Sequence, residues 1–296
     1  MSLRQGIIEM ILSNRVKEMF KDDLIQIEER LQMDVITYFG YVEKELITCF
    51  HDLLIELKKQ NKYKNDKLAV MLYTNGGQDN NYKDFYKYVH ESYKELVIIV
   101  PRSSLSAGTI IALTADKIIA RNGFTTFGMI DRQIPKDYNI MISIFWRLLA
   151  MGCKCEFNTR ARKIDGFLKP NYEPNNQERD IILQLISDIE IEIRFFYDQL
   201  INHNLKDDNK KHSKALRLIE YLINPNNHIT HNFPIPVEKL IEKGLNVNYY
   251  DDDIDLFKSI HTYDNQIYNI TNQILNGINQ GNIVNCFVHS RNRMII

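Results

Sequence analysis

Two continuous apolar runs, separated by a segment with helical spacing, constrain the fold of this chain more than any other feature. The runs cover residues 68–74 and 96–101, and residues 82–93 between them have the spacing of a helix. Strands without polar alternation are buried on both faces, as in a parallel sheet. A strand, a helix and a second strand make a βαβ unit. The sequence therefore predicts an α/β fold around a parallel sheet.

Hydrophobic spacing extends this pattern on both sides of the βαβ unit. Before it, residues 16–60 are expected to form two helices with a short β-branched and aromatic strand at 34–39 between them. After it, we expect a helix at 106–115, a strand at 117–120 and continued sheet through 124–130.

The second half of the chain has a mostly helical pattern. Helical spacing runs through residues 137–224 and is clearest at 177–203, where five apolar residues recur about once per turn. These are Ile181, Leu185, Ile189, Ile193 and Phe196. Four further elements are predicted near the C-terminus, namely helices at 236–243 and 253–275 and strands at 247–250 and 283–288.

These patterns divide the chain into four regions. They are residues 1–66, with the N-terminal helices and the first strand as part of the α/β domain; 67–136, the core βαβ region; 137–228, a helical accessory region; and 229–296, the C-terminal region.

Composition and charge exclude several classes of protein. Of the 296 residues, 44% are hydrophobic and 25% are charged, as in an ordinary soluble globular protein. The formal net charge of -1 gives no field that would draw the chain to nucleic acid or an anionic membrane, so no nucleic-acid partner is expected. We find no run of the roughly 18 apolar residues that a membrane span needs, and we identify no export signal.

The four cysteines indicate a reducing environment. They are too few for a disulfide framework in a chain of this length, so a cytoplasmic location is expected. Cys153 and Cys155 have a C-x-C spacing, but no second cysteine or histidine pair follows at the distance typical of a zinc site. We therefore predict no metal site and no cofactor.

Glycine and serine residues follow the two apolar runs, at the point where each predicted strand ends. Gly76 and Gly77 follow the first, and Ser106 and Ala107 follow the second. The carboxyl ends of parallel strands meet at one edge of a sheet, where open α/β folds place their sites. There Ser106 could act as a nucleophile, with Gly76 beside the substrate and the N–H groups of Gly77 and Ala107 as an oxyanion hole. The alternative is structural, with the glycines forming a tight turn and Ser106 capping a helix.

Four blocks in the same order resemble a known family. Residues 68–77 match a strand ending in T-P-G-G, 97–116 match I-V-P followed by S-A-G-T and A-L-A-A-D, 127–134 match L-G-P-I-D-P-Q-I, and 230–235 match T-H-D-Y-P-I ahead of a Gly-Leu pair. The chain is thus similar to the serine dehydrogenase proteinase family, relatives of the Clp protease and of signal peptide peptidase A. The resemblance implies a Clp/crotonase-like sheet with flanking helices and a helical accessory region. It also implies a serine peptidase, a protein or peptide substrate and a homo-oligomer.

The resemblance assigns a catalytic triad. The family's serine, aspartate and histidine correspond to Ser106, Asp131 and His231 in this sequence. In these roles Ser106 attacks the substrate, His231 takes up and returns the proton, and Asp131 holds the imidazole in the correct tautomer. His228 lies three residues before His231 but does not occupy the matching position.

Two departures from the family pattern keep other functions open. Asn75 replaces a proline before the glycines, and Arg132 replaces the proline after the aspartate, where a guanidinium could compete for the carboxylate. A catalytically silent, oligomeric peptide-binding or assembly module of the same fold is therefore an alternative, and acyl-CoA chemistry of the crotonase type is another. The α/β-hydrolase fold is disfavoured because its G-x-S-x-G motif would need glycine where Ser104 lies.

Overall fold

The computed structural model describes residues 14–60, 62–77, 81–130, 144, 176–224, 227, 233–277, 287–292 and 294–295. Their strands, in chain order, are β1 (Asp34–Phe39), β2 (Lys67–Tyr73), β3 (Glu95–Val100), β4 (Ser103–Ser104), β5 (Lys117–Ala120), β6 (Thr126–Phe127), β7 (Ile235–Pro236), β8 (Val247–Tyr249), β9 (Phe287–Ser290) and β10 (Met294–Ile295). Seven of them form one sheet in the order β10-β9-β1-β2-β3-β5-β8, and β4, β6 and β7 form a separate small sheet.

Five neighbouring strands of the large sheet are parallel, namely β1, β2, β3, β5 and β8. Their register places Val35 opposite Ala69, Ala69 opposite Val97, and Val97 opposite Lys117. β9 and β10 complete the β1 edge as antiparallel strands. The carboxyl ends of β1, β2 and β3 therefore lie side by side, as the apolar runs predict.

The described helices cover both faces of this sheet. In chain order they are α1 (Asn14–Leu31), α2 (Lys44–Gln60), α3 (Asn81–Ser92), α4 (Ala107–Leu113), α5 (Asn176–Asn202), α6 (Lys211–Ile223), α7 (Val237–Lys243) and α8 (Ile254–Gly277), with a 3₁₀ turn at Tyr250–Asp252. Helices α2 to α7 contribute to the core on one face, and α1 and α8 to the core on the other.

The side chains of β2 explain why both faces are covered. Leu68, Val70 and Leu72 belong to the first core, whereas Ala69 and Met71 belong to the second. Successive side chains of a strand point to opposite faces, so an uninterrupted apolar strand is stable only between two layers. The predicted α/β class, a central sheet flanked by helices, is confirmed.

Two elements differ from the sequence-based expectation. Residues 124–130 do not continue the large sheet, because the chain turns back at Arg121, whose carbonyl accepts from the Thr125 N–H at 3.0 Å. Only Thr126–Phe127 is a strand there, and it joins the small sheet. Of the strand predicted at 283–288, residues 283–286 lie outside the described residues, and the strand that is described there covers Phe287–Ser290.

The helix predicted at 177–203 is also observed, but its apolar stripe is only partly buried. Ile189, Ile193 and Phe196 are in the core, whereas Ile181 is 54% exposed. Among the described residues, no helix is long and apolar enough to cross a membrane.

A buried charged cluster joins α1 and β1 to the residue after β9 at the amino edge of the sheet. Arg291 Nη1, just after β9, lies 2.6 Å from Glu28 Oε1 on α1 and 2.7 Å from Asp34 Oδ1 on β1. Tyr93 donates to the other oxygen of Asp34 at 2.8 Å. Burial raises the pKa of Glu28, and Arg291 opposes that shift. Removing one member of such a group leaves an uncompensated buried charge, so the cluster fixes β9 against α1 and β1.

A buried histidine on β9 gives the fold a predicted pH dependence. His289 is 2% exposed, its Nδ1 lies 2.7 Å from the Tyr263 hydroxyl, and burial lowers its pKa to about 3. Below the ordinary histidine pKa of about 6.5, the imidazole of His289 binds a proton in the unfolded chain but stays neutral in the folded chain. The contribution of His289 to stability is therefore full above about pH 6.5 and is lost as the pH falls toward the folded-state pKa.

We expect His289→Gln, which keeps an acceptor but does not titrate, to flatten the dependence of unfolding free energy on pH between about 6.5 and 4. Urea denaturation at several pH values measures this. His51→Gln, at a partly exposed histidine on α2, is the control and should leave the slope unchanged. Parallel curves for His289→Gln and the unsubstituted protein would show that His289 is not the titrating group.

Candidate active site

Ser106 adopts a strained backbone conformation between β4 and α4. Its φ of 51° and ψ of -116° lie in a region that residues other than glycine rarely occupy. Ser106 occupies the N-cap position of α4, yet its hydroxyl makes no capping hydrogen bond. Ser106 is partly exposed and lies at a sharp strand-to-helix turn, the geometry in which a nucleophilic serine is presented in hydrolases.

Two glycines enclose this serine from neighbouring segments. A Cβ atom added to Gly76 would lie 2.8 Å from Ser106 Cβ and 3.3 Å from its Oγ. A Cβ atom added to Gly128 would lie 2.8 Å from the Ser106 nitrogen and 3.0 Å from Leu105 Cα. Neither position has room for a side chain, so the turn at Ser106 is packed directly against two stretches of backbone.

The glycine pair after β2 is held by hydrogen bonds to two other segments. Gly76 has φ 103°; its N–H donates to Thr74 Oγ1 at 3.0 Å, and its carbonyl accepts from Val42 N–H at 2.9 Å. A Cβ on Gly77 would lie 2.2 Å from the Val42 carbonyl oxygen. The sequence suggested that these glycines admit a ligand, but the structure shows that both are also required by close approach of the protein's own backbone.

The predicted oxyanion donors lie on adjoining segments. The Leu105 N–H donates to the Thr74 carbonyl at 2.9 Å, and Thr74 forms a parallel bridge with Ser104. This brings the segment with Gly77 alongside the segment with Ala107. Neither of these two N–H groups has a hydrogen bond to any residue in the described part of the chain. Backbone N–H groups on segments that adjoin a serine can stabilise the charge that forms on a carbonyl oxygen during attack.

The small sheet brings three chain segments together at one end. β4 and β6 run parallel, and β7 runs antiparallel to β6 with Ile235 opposite Phe127. The chain therefore leaves β4 toward Ser106, leaves β6 toward Gly128 and enters β7 at the same end of the sheet. Sequence periodicity could not reveal these strands, because each has only two residues.

An ion pair fixes the end of β3 just before the serine turn. The Arg102 Nε lies 3.0 Å from both carboxylate oxygens of Asp264 on α8, which is 3% exposed in its side chain. Tyr73, the last residue of β2, donates to the same carboxylate. Burial and the neighbouring Asp264 raise the pKa of Tyr73 well above its ordinary value, so its hydroxyl remains a donor. This contact ties the ends of β2 and β3 to one helix.

The remaining predicted site residues lie outside the described residues. These are Asp131 and His231, together with Arg132, His228, Cys153 and Cys155. Of the predicted site, the structure brings together Ser106, Gly76, Gly77 and Ala107. The described residues contain no group of three or more histidine, cysteine, aspartate or glutamate side chains that could hold a metal ion.

Sequence reasoning gave no role to Thr74 or Gly128, which hold the turn at Ser106. The signal for Gly128 was present, since it lies in the third family-like block, but its contact with Ser106 depends on the tertiary fold.

Comparison with known proteins gave likenesses in structure alone. No protein-family model and no curated protein matches the chain. Two solved structures of the 1510-N membrane-bound stomatin-specific protease are similar, each with 15% sequence identity, a TM-score of 0.43 and coverage of 76% of this chain. One is a serine-to-alanine variant covered over 82% of its length; the other is a lysine-to-alanine variant in complex with a substrate peptide, covered over 78%. A likeness this distant assigns no activity to this chain.

The contact between Gly76 and Ser106 predicts a specific cost of substitution. Gly76→Ala should destabilise the fold by several kcal/mol, because it combines an unfavourable positive φ, worth about 1–2 kcal/mol, with a collision against Ser106. Gly123→Ala is the matched control, since Gly123 has φ 67° but nothing within 4 Å of an added Cβ. Denaturant unfolding of both variants measures the difference. If the two variants lose the same unfolding free energy, glycine is needed at position 76 only because of its positive φ, and the contact with Ser106 adds no cost.

Proposed function

We propose that this protein is a serine hydrolase of the Clp/crotonase type that cleaves peptide bonds, with Ser106 as its nucleophile. The conformation of Ser106 is the observation that carries the proposal. Its hydroxyl makes no helix-capping hydrogen bond, and the residue lies at a strained turn between two glycine backbones. The adjoining segments carry the N–H groups of Gly77 and Ala107, which have no hydrogen bond to a described residue. Strain at a residue other than glycine persists only where surrounding structure imposes it, and it is concentrated at functional sites.

In this mechanism Ser106 attacks the carbonyl carbon of the scissile bond and forms an acyl-enzyme. The carbonyl oxygen becomes an oxyanion that accepts hydrogen bonds from the N–H groups of Gly77 and Ala107. Each such donor is worth roughly a hundredfold or more in rate. Because these donors belong to the backbone, they remain in place without any reorganisation of side chains.

A base must accept the proton of Ser106, and we assign that role to His231 with Asp131 as its orienting carboxylate. The small sheet supports the assignment. β6 ends at Phe127 and β7 begins at Ile235, both at the end of the small sheet where β4 leads to Ser106. In the sequence, Asp131 comes four residues after Phe127, and His231 comes four residues before Ile235. Ile130, immediately before Asp131, is 3% exposed, and its N–H donates to the Leu222 carbonyl at 3.0 Å. The segment that leads to Asp131 and the segment that leaves His231 are therefore each fixed at a described residue near Ser106.

The peptide substrate and the homo-oligomer follow from the family-like blocks, and they belong to the same proposal. The acyl-CoA alternative needs no serine nucleophile, so a stable covalent adduct on Ser106 separates it from hydrolysis through an acyl-enzyme.

An organofluorophosphonate probe tests the nucleophile. It should modify Ser106 in the folded protein, and Ser106→Ala should abolish labelling while leaving the thermal midpoint nearly unchanged. Ser103→Ala, at a partly exposed serine on β4, is the control and should keep the labelling. Peptide mapping by mass spectrometry identifies the modified residue. Labelling at a different serine, or none in a folded sample, would overturn the proposed function.

A second test concerns the base. An imidazole with an ordinary pKa of about 6.5 must be neutral to accept the serine proton, so the labelling rate should rise with pH between roughly 6 and 7.5. His231→Ala should remove that rise and most of the rate, whereas His228→Ala should leave both largely intact. Asp131→Asn should lower the rate by up to about ten-thousandfold, because an amide favours the wrong tautomer. Loss of labelling in His228→Ala instead would shift the assignment of the base by three residues.

A further inference from the structure

The hydroxyl of Thr109 joins two backbone segments that enclose Ser106. Thr109 lies in the first turn of α4 and is fully buried. Its Oγ1 lies 2.8 Å from the carbonyl oxygen of Ser104 and 3.0 Å from both the N–H nitrogen and the carbonyl oxygen of Gly128. One side-chain oxygen therefore connects α4, β4 and the segment that follows β6.

The hydrogen-bond roles follow from the single proton of the hydroxyl. Thr109 Oγ1 accepts a hydrogen bond from the Gly128 N–H, so its own proton is donated to a carbonyl oxygen. The Ser104 carbonyl is nearer to the hydroxyl than the Gly128 carbonyl, so we take it as the acceptor. All three groups are buried, and loss of the hydroxyl would leave the Gly128 N–H and the Ser104 carbonyl without this partner. Buried backbone groups without a partner are costly, so the segments would rearrange.

This pattern differs from that of an ordinary helical threonine. Threonine hydroxyls in helices usually bond to a carbonyl of the same helix three or four residues earlier. Thr114, at the other end of α4, does so, donating to Ile111 at 2.7 Å. Thr109 instead bonds outside the helix, to the residue two before Ser106 and to the glycine packed on the Ser106 nitrogen.

We propose that Thr109 is a positioning residue that holds Ser106 in its reactive conformation, an inference that rests on the proposed function. Its hydroxyl keeps the Gly128 backbone against Ser106 and keeps β4 at a fixed distance from α4. These two constraints leave the serine turn no room to relax from its φ of 51°. Thr109 touches neither substrate nor reacting atoms and acts through Ser104 and Gly128.

The test compares three variants by the rate of fluorophosphonate labelling at Ser106, corrected for the folded fraction, and by thermal midpoint. Thr109→Val removes the hydroxyl at nearly constant volume, and its labelling should slow by roughly ten- to a hundredfold, the scale of a misplaced reacting group. Thr109→Ser keeps the hydroxyl and should label within about threefold of the unsubstituted rate. Thr114→Val, the matched control, removes an equally buried hydroxyl at the C-cap of the same helix and should lose stability without losing labelling rate.

The outcomes separate this inference from the proposed function. If the unsubstituted protein is not labelled at Ser106, the proposed function fails. If it is labelled and Thr109→Val reacts at the same rate, only the positioning role is wrong. If Thr109→Val does not fold, Thr109→Ser decides, because slow labelling in a folded protein that retains the hydroxyl overturns the inference. Slow labelling in Thr114→Val would also overturn it, since any buried hydroxyl of α4 would then suffice.

Discussion

The burial of β2 between two helical layers is the constraint on which the rest of the structure depends. An apolar strand covered on both faces has to be paired on both edges, and parallel neighbours from β1 and β3 provide that pairing. Parallel pairing then requires the loops after these strands to leave from the same edge. The contact of Gly77 with Val42 and that of Gly76 with Ser106 both follow from this alignment.

The strained backbone conformation of Ser106 is maintained by contacts with other segments of the chain. Thr74, Gly76 and Gly128 each belong to a different segment from the serine, and each is fixed by its own hydrogen bonds. The buried Ser104 hydroxyl, which has no hydrogen-bond partner within the described chain, shows that polar groups are not optimised for stability here. The packing of the surrounding cores offsets these costs, of order 1–3 kcal/mol each.

The sequence was sufficient to predict the βαβ unit and to place the segments that carry Gly76 and Ser106 at one edge of the sheet. Residues 68–74 and 96–101 form continuous apolar runs that are soon followed by glycine or serine, so strand type, strand end and edge could all be inferred. The small sheet and the contacts of Thr109 could not be inferred, because two-residue strands have no periodicity and a buried threonine resembles any other core residue. Helical spacing places Ile181 on the apolar stripe of α5, yet this side chain is exposed.

The pairing of β9 with β1 has a consequence for how the chain reaches this fold. Ile36 pairs with Ser290, so one edge of β1 stays open, and the carboxylates of Glu28 and Asp34 lack Arg291, until the segment more than 250 residues later in the chain, which carries Ser290 and Arg291, has been synthesised. Contacts between residues so distant in sequence close slowly, since the entropy of a long loop is lost before they form. On the ribosome, completion of the sheet therefore waits until β9 has emerged, and the unpaired β1 edge is the surface that needs protection from aggregation until then.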